Sequence, residues 1–248
     1  MHRLRATISS LHYPIPMSQT NMIRELAIVA AFIAAPVALS AQMPATPVLQ
    51  NAWANAGITV AADYGKAQDA SAFAGALAWA PARSRFQLSA GAGVVKADSG
   101  DSRAAYGGRL SIPLKSFASG SVGAAVFGGV GVTSTDLATT TNGVTTTSRV
   151  TLSSFPVGVA LGFRHALGAT RGISAYVAPF VMISRQKGDS LTKPTGNAFR
   201  ASVGLDVTLA PQIGLTLGYE AGAKAKEGTP GPQAGVFGIG LSYALRRQ

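Results

Sequence analysis

Apolar and polar residues alternate with a period of two along most of the chain beyond residue 55. Ile58, Val60, Ala62 and Tyr64 alternate with Gly57, Thr59, Ala61 and Asp63. Phe86, Leu88, Ala90, Ala92 and Val94 alternate with Gln87, Ser89, Gly91 and Gly93, and Tyr106, Gly108, Leu110, Ile112 and Leu114 with Gly107, Arg109 and Ser111. Near the end, Ile213, Leu215, Leu217 and Tyr219, then Phe237, Ile239, Leu241, Tyr243 and Leu245, repeat the pattern. This period marks strands with two unlike faces. Ten are predicted, at about 56–64, 70–79, 86–96, 104–114, 121–133, 150–163, 173–183, 198–209, 213–220 and 234–245. The sixth changes phase near Phe155-Pro156, where a bulge is expected because Pro donates no ladder hydrogen bond. The seventh has apolar residues on both phases, Tyr176 and Phe180 on one and Val177 and Val181 on the other. No stretch after Gln42 has helical periodicity.

The links alternate too. Those at 80–85, 115–120, 164–172 and 210–212 are short, whereas those at 134–149, 184–197 and 221–233 are longer and polar. The Thr-rich stretch Thr139–Thr147 around Asn142-Gly143 is expected to be a long hairpin tip. Ahead of the strands, an apolar run from Leu26 to Leu39 follows Arg24 and ends in Ala38-Leu39-Ser40-Ala41-Gln42, rich in small residues. It is too short to span a bilayer, which takes about 20 residues, and has the layout of a secretory signal cleaved near Ala41. Residues 1–41 are therefore read as an overlong start plus signal peptide, 42–55 as a periplasmic N-terminal segment, 56–245 as the stranded domain and 246–248 as a basic periplasmic tail.

Composition decides which solvent the strands meet. Only 12% of residues are charged against 47% hydrophobic, about half the charge usual in a soluble domain, ~25%. The polar phase is mostly Gly, Ala, Ser and Thr, where a solvated sandwich would carry Lys and Glu. Small residues suit a narrow lumen on which every wall converges. Tyr64, Trp79, Phe86, Tyr106, Phe163, Phe199, Tyr219 and Tyr243 sit near strand ends, where membrane interfaces place aromatic rings. Strands in lipid must pair every backbone group, which only a closed ring achieves. The expected fold is all-β, a closed antiparallel up-and-down transmembrane β-barrel, ten strands preferred over eight.

With these features the chain resembles the small bacterial outer-membrane β-barrel superfamily, the porin-like families of eight to ten strands. The resemblance covers nearly all of the chain after the signal and rests on pattern rather than on a fingerprint. Such proteins usually end on an aromatic that the barrel-assembly machinery reads. Here Phe237 to Leu245 keeps the alternation, but Arg246-Arg247-Gln248 follows. The resemblance implies the outer membrane as location, with both termini periplasmic, and the assembly machinery as a partner.

Charge is sorted by depth. Removing residues 1–41 takes Arg3, Arg5, Arg24 and Glu25 from 21 basic and 10 acidic residues, leaving 18 and 9. Arg83, Arg85, Lys115, Arg164, Arg171, Arg246 and Arg247 fall on the short-turn side without an acid, a rim suited to anionic lipid headgroups. The basic residues are dispersed singly in an exported chain, so nucleic acid is not an expected partner. Five charges fall on the inward phase: Asp63, Arg109, Arg200, Asp206 and Glu220. They form the candidate site, either a salt-bridge network that fills the lumen or the lining of a narrow solute path, with Arg109 and Arg200 paired to Asp63, Asp206 or Glu220. After the signal, the only His is His165, with no acid within twenty residues, and there is no Cys. Neither a catalytic triad nor a metal cluster is expected, and no cofactor. The expected role is a structural or passive narrow-channel barrel, monomeric and non-enzymatic. The alternative is a surface adhesin or ligand-binding barrel acting through its long loops.

Overall fold

In a computed structural model, the period-two segments become ten antiparallel strands. The structure describes residues 46–54, 56–81, 86–98, 101–141, 144–168, 170–188, 195–227 and 229–246, without the side chains of 135–148 and 246. The signal and start, residues 1–41, and the tail residues Arg247 and Gln248 lie outside the described residues. The strands are β1 (Gly57–Ala67), β2 (Ala70–Ala80), β3 (Gln87–Ala97), β4 (Ser102–Phe117), β5 (Val122–Thr141), β6 (Val144–Ala166), β7 (Gly172–Gly188), β8 (Thr195–Ala210), β9 (Ile213–Gly222) and β10 (Val236–Arg246). Each pairs with its neighbours in sequence, and β1 pairs with β10, so the sheet closes with no free edge through the barrel wall. Ten strands, not the alternative eight, complete the ring.

The two phases face as the alternation predicts. Phe73, Leu77, Leu161, Val203 and Leu241 project outward and are half or more exposed. Apolar area left in water costs roughly 25 cal/mol per Å², so a continuous apolar belt of this kind is stable only against lipid. Seven of the eight aromatics expected at the interfaces, all but Phe86, are strongly exposed on this outer face. Phe86 stacks edge-on against Trp79, with ring centroids 5.9 Å apart. The inward phase carries the small residues and the buried polar ones.

Three expectations change. The 134–149 link is not a loop: β5 and β6 run 20 and 23 residues and stay paired from Ser134↔Thr151 to Thr141↔Val144. The last rungs to the flanking strands are Ala105↔Thr133 and Val150↔Gly188. The outer part of this hairpin is thus a two-stranded ribbon projecting past the ring, and its tip residues Asn142 and Gly143 lie outside the described residues. The rim opposite the short turns is therefore uneven because strands overhang, not because all its links are long; β1 and β2 are joined by Gln68 and Asp69 alone. Phe155-Pro156 forms no bulge, since the β5–β6 register is the same at Gly128↔Val157 and Gly131↔Ser154. Two rungs are missing between them, as the lacking Pro N–H requires, while Pro156 points inward and is fully buried. The apolar phase changes there because Val150, above the break, is buried on the inner face. On β7 both faces are apolar for a reason: Tyr176, Phe180 and Met182 are buried inside, while Val177, Val181 and Ile183 face outward.

A charge on the outer face should be costly at mid-depth and cheap at the rim. Val159→Arg is expected to lower unfolding stability in lipid by about 2–4 kcal/mol, and His165→Arg by less than about 1. Urea titration in liposomes measures both, and equal effects would show that the outer face of β6 does not meet hydrocarbon.

Candidate functional site

Just ahead of β1 the chain lies inside the barrel. Residues 46–52 are almost wholly buried, with Val48 at 0% exposure and Leu49 and Asn51 at 2%. Residues 46–53 of the segment read as N-terminal and periplasmic lie in the lumen as a strap without regular secondary structure. It turns into the wall at Gly57, whose φ of 110° favours glycine. Trp53 lies nearest the short-turn rim, where the Arg164 guanidinium stacks 4.9 Å from its ring and donates to the Gly120 carbonyl at 2.8 Å. Val48 lies deeper, in an apolar cluster with Ala125, Phe127, Ala160, Ala178, Phe180 and Met182.

Room for the strap comes from glycine. Adjacent strands place Gly123 opposite Gly162, then Tyr176, Gly204, Gly218, Gly238 and Gly65 in an unbroken row of rungs. A Cβ at Gly123 or Gly162 would press on Trp53, at Gly218 on Leu49 and at Gly238 on Pro47. One at Gly204 would strike the Tyr176 ring. The row is a groove cut around the inner wall, and the strap lies in it.

Side chains of the wall hold the strap's polar atoms. The Val48 N–H donates to Glu220 Oε2 at 2.8 Å, and Ser202 Oγ donates to the Val48 carbonyl at 2.5 Å. Gln50 Nε2 donates to Ser111 Oγ at 3.0 Å. Asn51 Nδ2 donates to Ser174 Oγ at 2.8 Å and to Asp206 Oδ2 at 2.5 Å, and Thr216 donates to the other Asp206 oxygen. Arg200 Nε pairs with Glu220 Oε1 at 2.5 Å, while its Nη atoms donate to the Ala223 and Ala234 carbonyls. Arg200 thereby ties the loop between β9 and β10 to the strap through a single carboxylate.

All five predicted inward charges lie in the lumen at 7% exposure or less. They do not form one network. Arg200 pairs with Glu220, and Asp206 is held by Thr216 and Asn51 rather than by an arginine. Asp63 and Arg109 feel each other's charge, yet both Asp63 oxygens and Arg109 Nη1 are buried without a hydrogen-bond partner among the described residues. Gln87 Oε1, Tyr176 Oη and Trp53 Nε1 share that condition. No group of His, Cys, Asp and Glu able to hold a metal occurs among the described residues.

The family described as outer membrane protein beta-barrel domain matches residues 70–244. The chain belongs to that family. No curated protein matches it in sequence. Among solved structures, this outer-membrane barrel is similar to the β domain of the Bordetella autotransporter BrkA, at 14% identity and a TM-score of 0.52 over 77% of this chain and 100% of that one. The translocator domain of autotransporter NalP from Neisseria meningitidis aligns at 12% identity and a TM-score of 0.45, over 75% of this chain and 86% of that one. Omp33 of Acinetobacter baumannii aligns at 8% and 0.31, over 77% and 98%. The likeness to the BrkA domain is one of fold.

The strap is the part of this outer-membrane barrel's lumen that the sequence reading missed. Its available signal was glycine in excess on the inward phase, more than a lumen filled by its own wall requires. Arg200→Ala leaves Glu220 buried without its cation, and losing one partner of a buried pair costs about 3–5 kcal/mol. Denaturant unfolding in micelles should show that loss for Arg200→Ala and a much smaller one for Arg200→Met combined with Glu220→Gln.

Proposed function

We propose that the protein is a structural barrel of the outer membrane whose lumen is closed at rest by its own residues 46–53. One observation carries this reading: the strap fills the inward-facing groove, and polar atoms of Val48, Gln50 and Asn51 are bonded to the wall. A passive channel would need that space free. With the short turns toward the periplasm, the strap runs from Pro47, nearer the cell exterior, to Trp53 at the periplasmic rim, where the chain turns into β1. The C-terminal end of β10 then lies in the periplasm. In this orientation Lys115 and Arg171 lie at the level of the inner leaflet's headgroups, consistent with contact to anionic lipid, while Arg164 turns inward to Trp53. On this reading the barrel acts as a monomer without a catalytic role, in keeping with Glu220 being engaged by Arg200 and Val48 and Asp206 by Asn51 and Thr216. Full mature protein, residues 42–248, is expected to give no steady unitary conductance in a planar bilayer. A steady open level would overturn the closed reading.

A second reading, surface binding, is favoured by the ribbon. Its rungs from Asp136↔Arg149 to Thr141↔Val144 project past both neighbouring strands, leaving two edges able to pair with an extended partner. Replacing residues 136–149 by an Asn-Gly turn is expected to leave heat-modifiable migration in detergent gels unchanged while abolishing adhesion of cells displaying the protein. Adhesion that survives the deletion would remove this reading.

A further inference from the structure

The strap resembles a ligand of the wall more than a part of it. It forms no ladder with any strand, its backbone is held by the side chains of Glu220 and Ser202, and among the described residues it joins the ring at one end only. The groove beneath it reads shape: glycine admits an extended backbone, an apolar pocket takes Val48, Asp206 with Ser174 takes a primary amide, and Arg164 takes an aromatic ring. The lumen also holds buried polar groups outside the strap's contacts: Asp63 Oδ1 and Oδ2, Arg109 Nη1 and Tyr176 Oη have no hydrogen-bond partner among the described residues. The closed state is held by a few side-chain contacts rather than by a ladder.

We propose that the lumen groove is a binding site for an extended polypeptide, occupied at rest by residues 46–53 and exchangeable with a segment of the same chemistry. Such a segment presents an aliphatic residue, then a primary amide, then an aromatic at the short-turn end. The proposal rests on the closed-lumen reading and goes beyond it: an immobile strap would close the barrel equally well.

The test uses the full mature chain. Asn51→Leu with Trp53→Ala removes the amide and the ring from the strap and is expected to produce unitary openings in a planar bilayer. A synthetic peptide of residues 46–54 should then cut open time by about tenfold, the change that about 1.4 kcal/mol of binding produces. A scrambled peptide should not. Block by neither peptide, or by both equally, overturns the proposal. Steady conductance of the unsubstituted protein would instead sink the closed reading, so the two failures are distinguishable. If the double variant does not fold, Leu49→Cys with Gly218→Cys gives an independent readout in a chain that has no other cysteine. Reduced, this protein should bind by anisotropy a fluorescein-labelled peptide of residues 46–54 carrying Leu49→Ala, which clears the Cβ added at Gly218; oxidised, with the strap locked, it should not. Absence of binding in the reduced form, or equal binding in both, overturns exchange.

Discussion

A ring of ten strands that must leave no backbone group unpaired fixes how much space its centre contains. Closure satisfies the ladder in lipid, and it also fixes a lumen into which the inward side chains of every strand converge. In this barrel the inward wall shares that space with an additional segment of chain. The wall yields by losing side chains where the segment passes, at Gly123, Gly162, Gly218 and Gly238, in a row that also holds Gly204 under the Tyr176 ring. Glycine within a strand weakens it, through entropy and lost packing. Here the strap supplies the packing that the wall gives up, with Leu49 over Gly218 and Trp53 over Gly123 and Gly162. Wall and strap are complementary, and neither is well packed without the other.

The Arg200–Glu220 pair couples three elements that are distant in sequence. Glu220 on β9 receives the strap's Val48 N–H and the Arg200 guanidinium of β8, while Arg200 also binds carbonyls at both ends of the loop before β10. Two buried charges are tolerated because each has additional hydrogen bonds, which is the condition under which such a pair repays its desolvation. Disturbing the strap at Val48 therefore reaches the loop at the opposite rim through one carboxylate. Asp206 plays a similar part nearer the middle, taking Asn51 from the strap and Thr216 from β9.

Much of this was legible in the residues. The period of two, the outward aliphatics and the five charges on the inner phase all came from alternation alone, because side-chain direction in a strand depends only on parity. The charges' partners were not legible, since pairing across the lumen depends on curvature and on which strands face each other. The strap was invisible for a related reason. Pro47 to Trp53 has no period, and its burial is set by residues far along the chain, such as Glu220, 172 positions from Val48. The ribbon was missed because Thr139 to Thr147 reads as polar loop, although β-branched threonine suits a strand that continues into water.

The two halves of the lumen differ in a way that gives the strap its character. On the side of β8 and β9 every charge is bound, and the strap is the agent that binds Glu220 and Asp206. On the side of β1 and β4, Asp63 and Arg109 take no hydrogen bond from the strap among the described residues. A lumen serving as an open pore would need neither half packed. Side-chain contacts concentrated on one wall, with no backbone ladder to any strand, are what a removable occupant requires. The glycine that first signalled a narrow interior is thus the imprint of the segment lying in it.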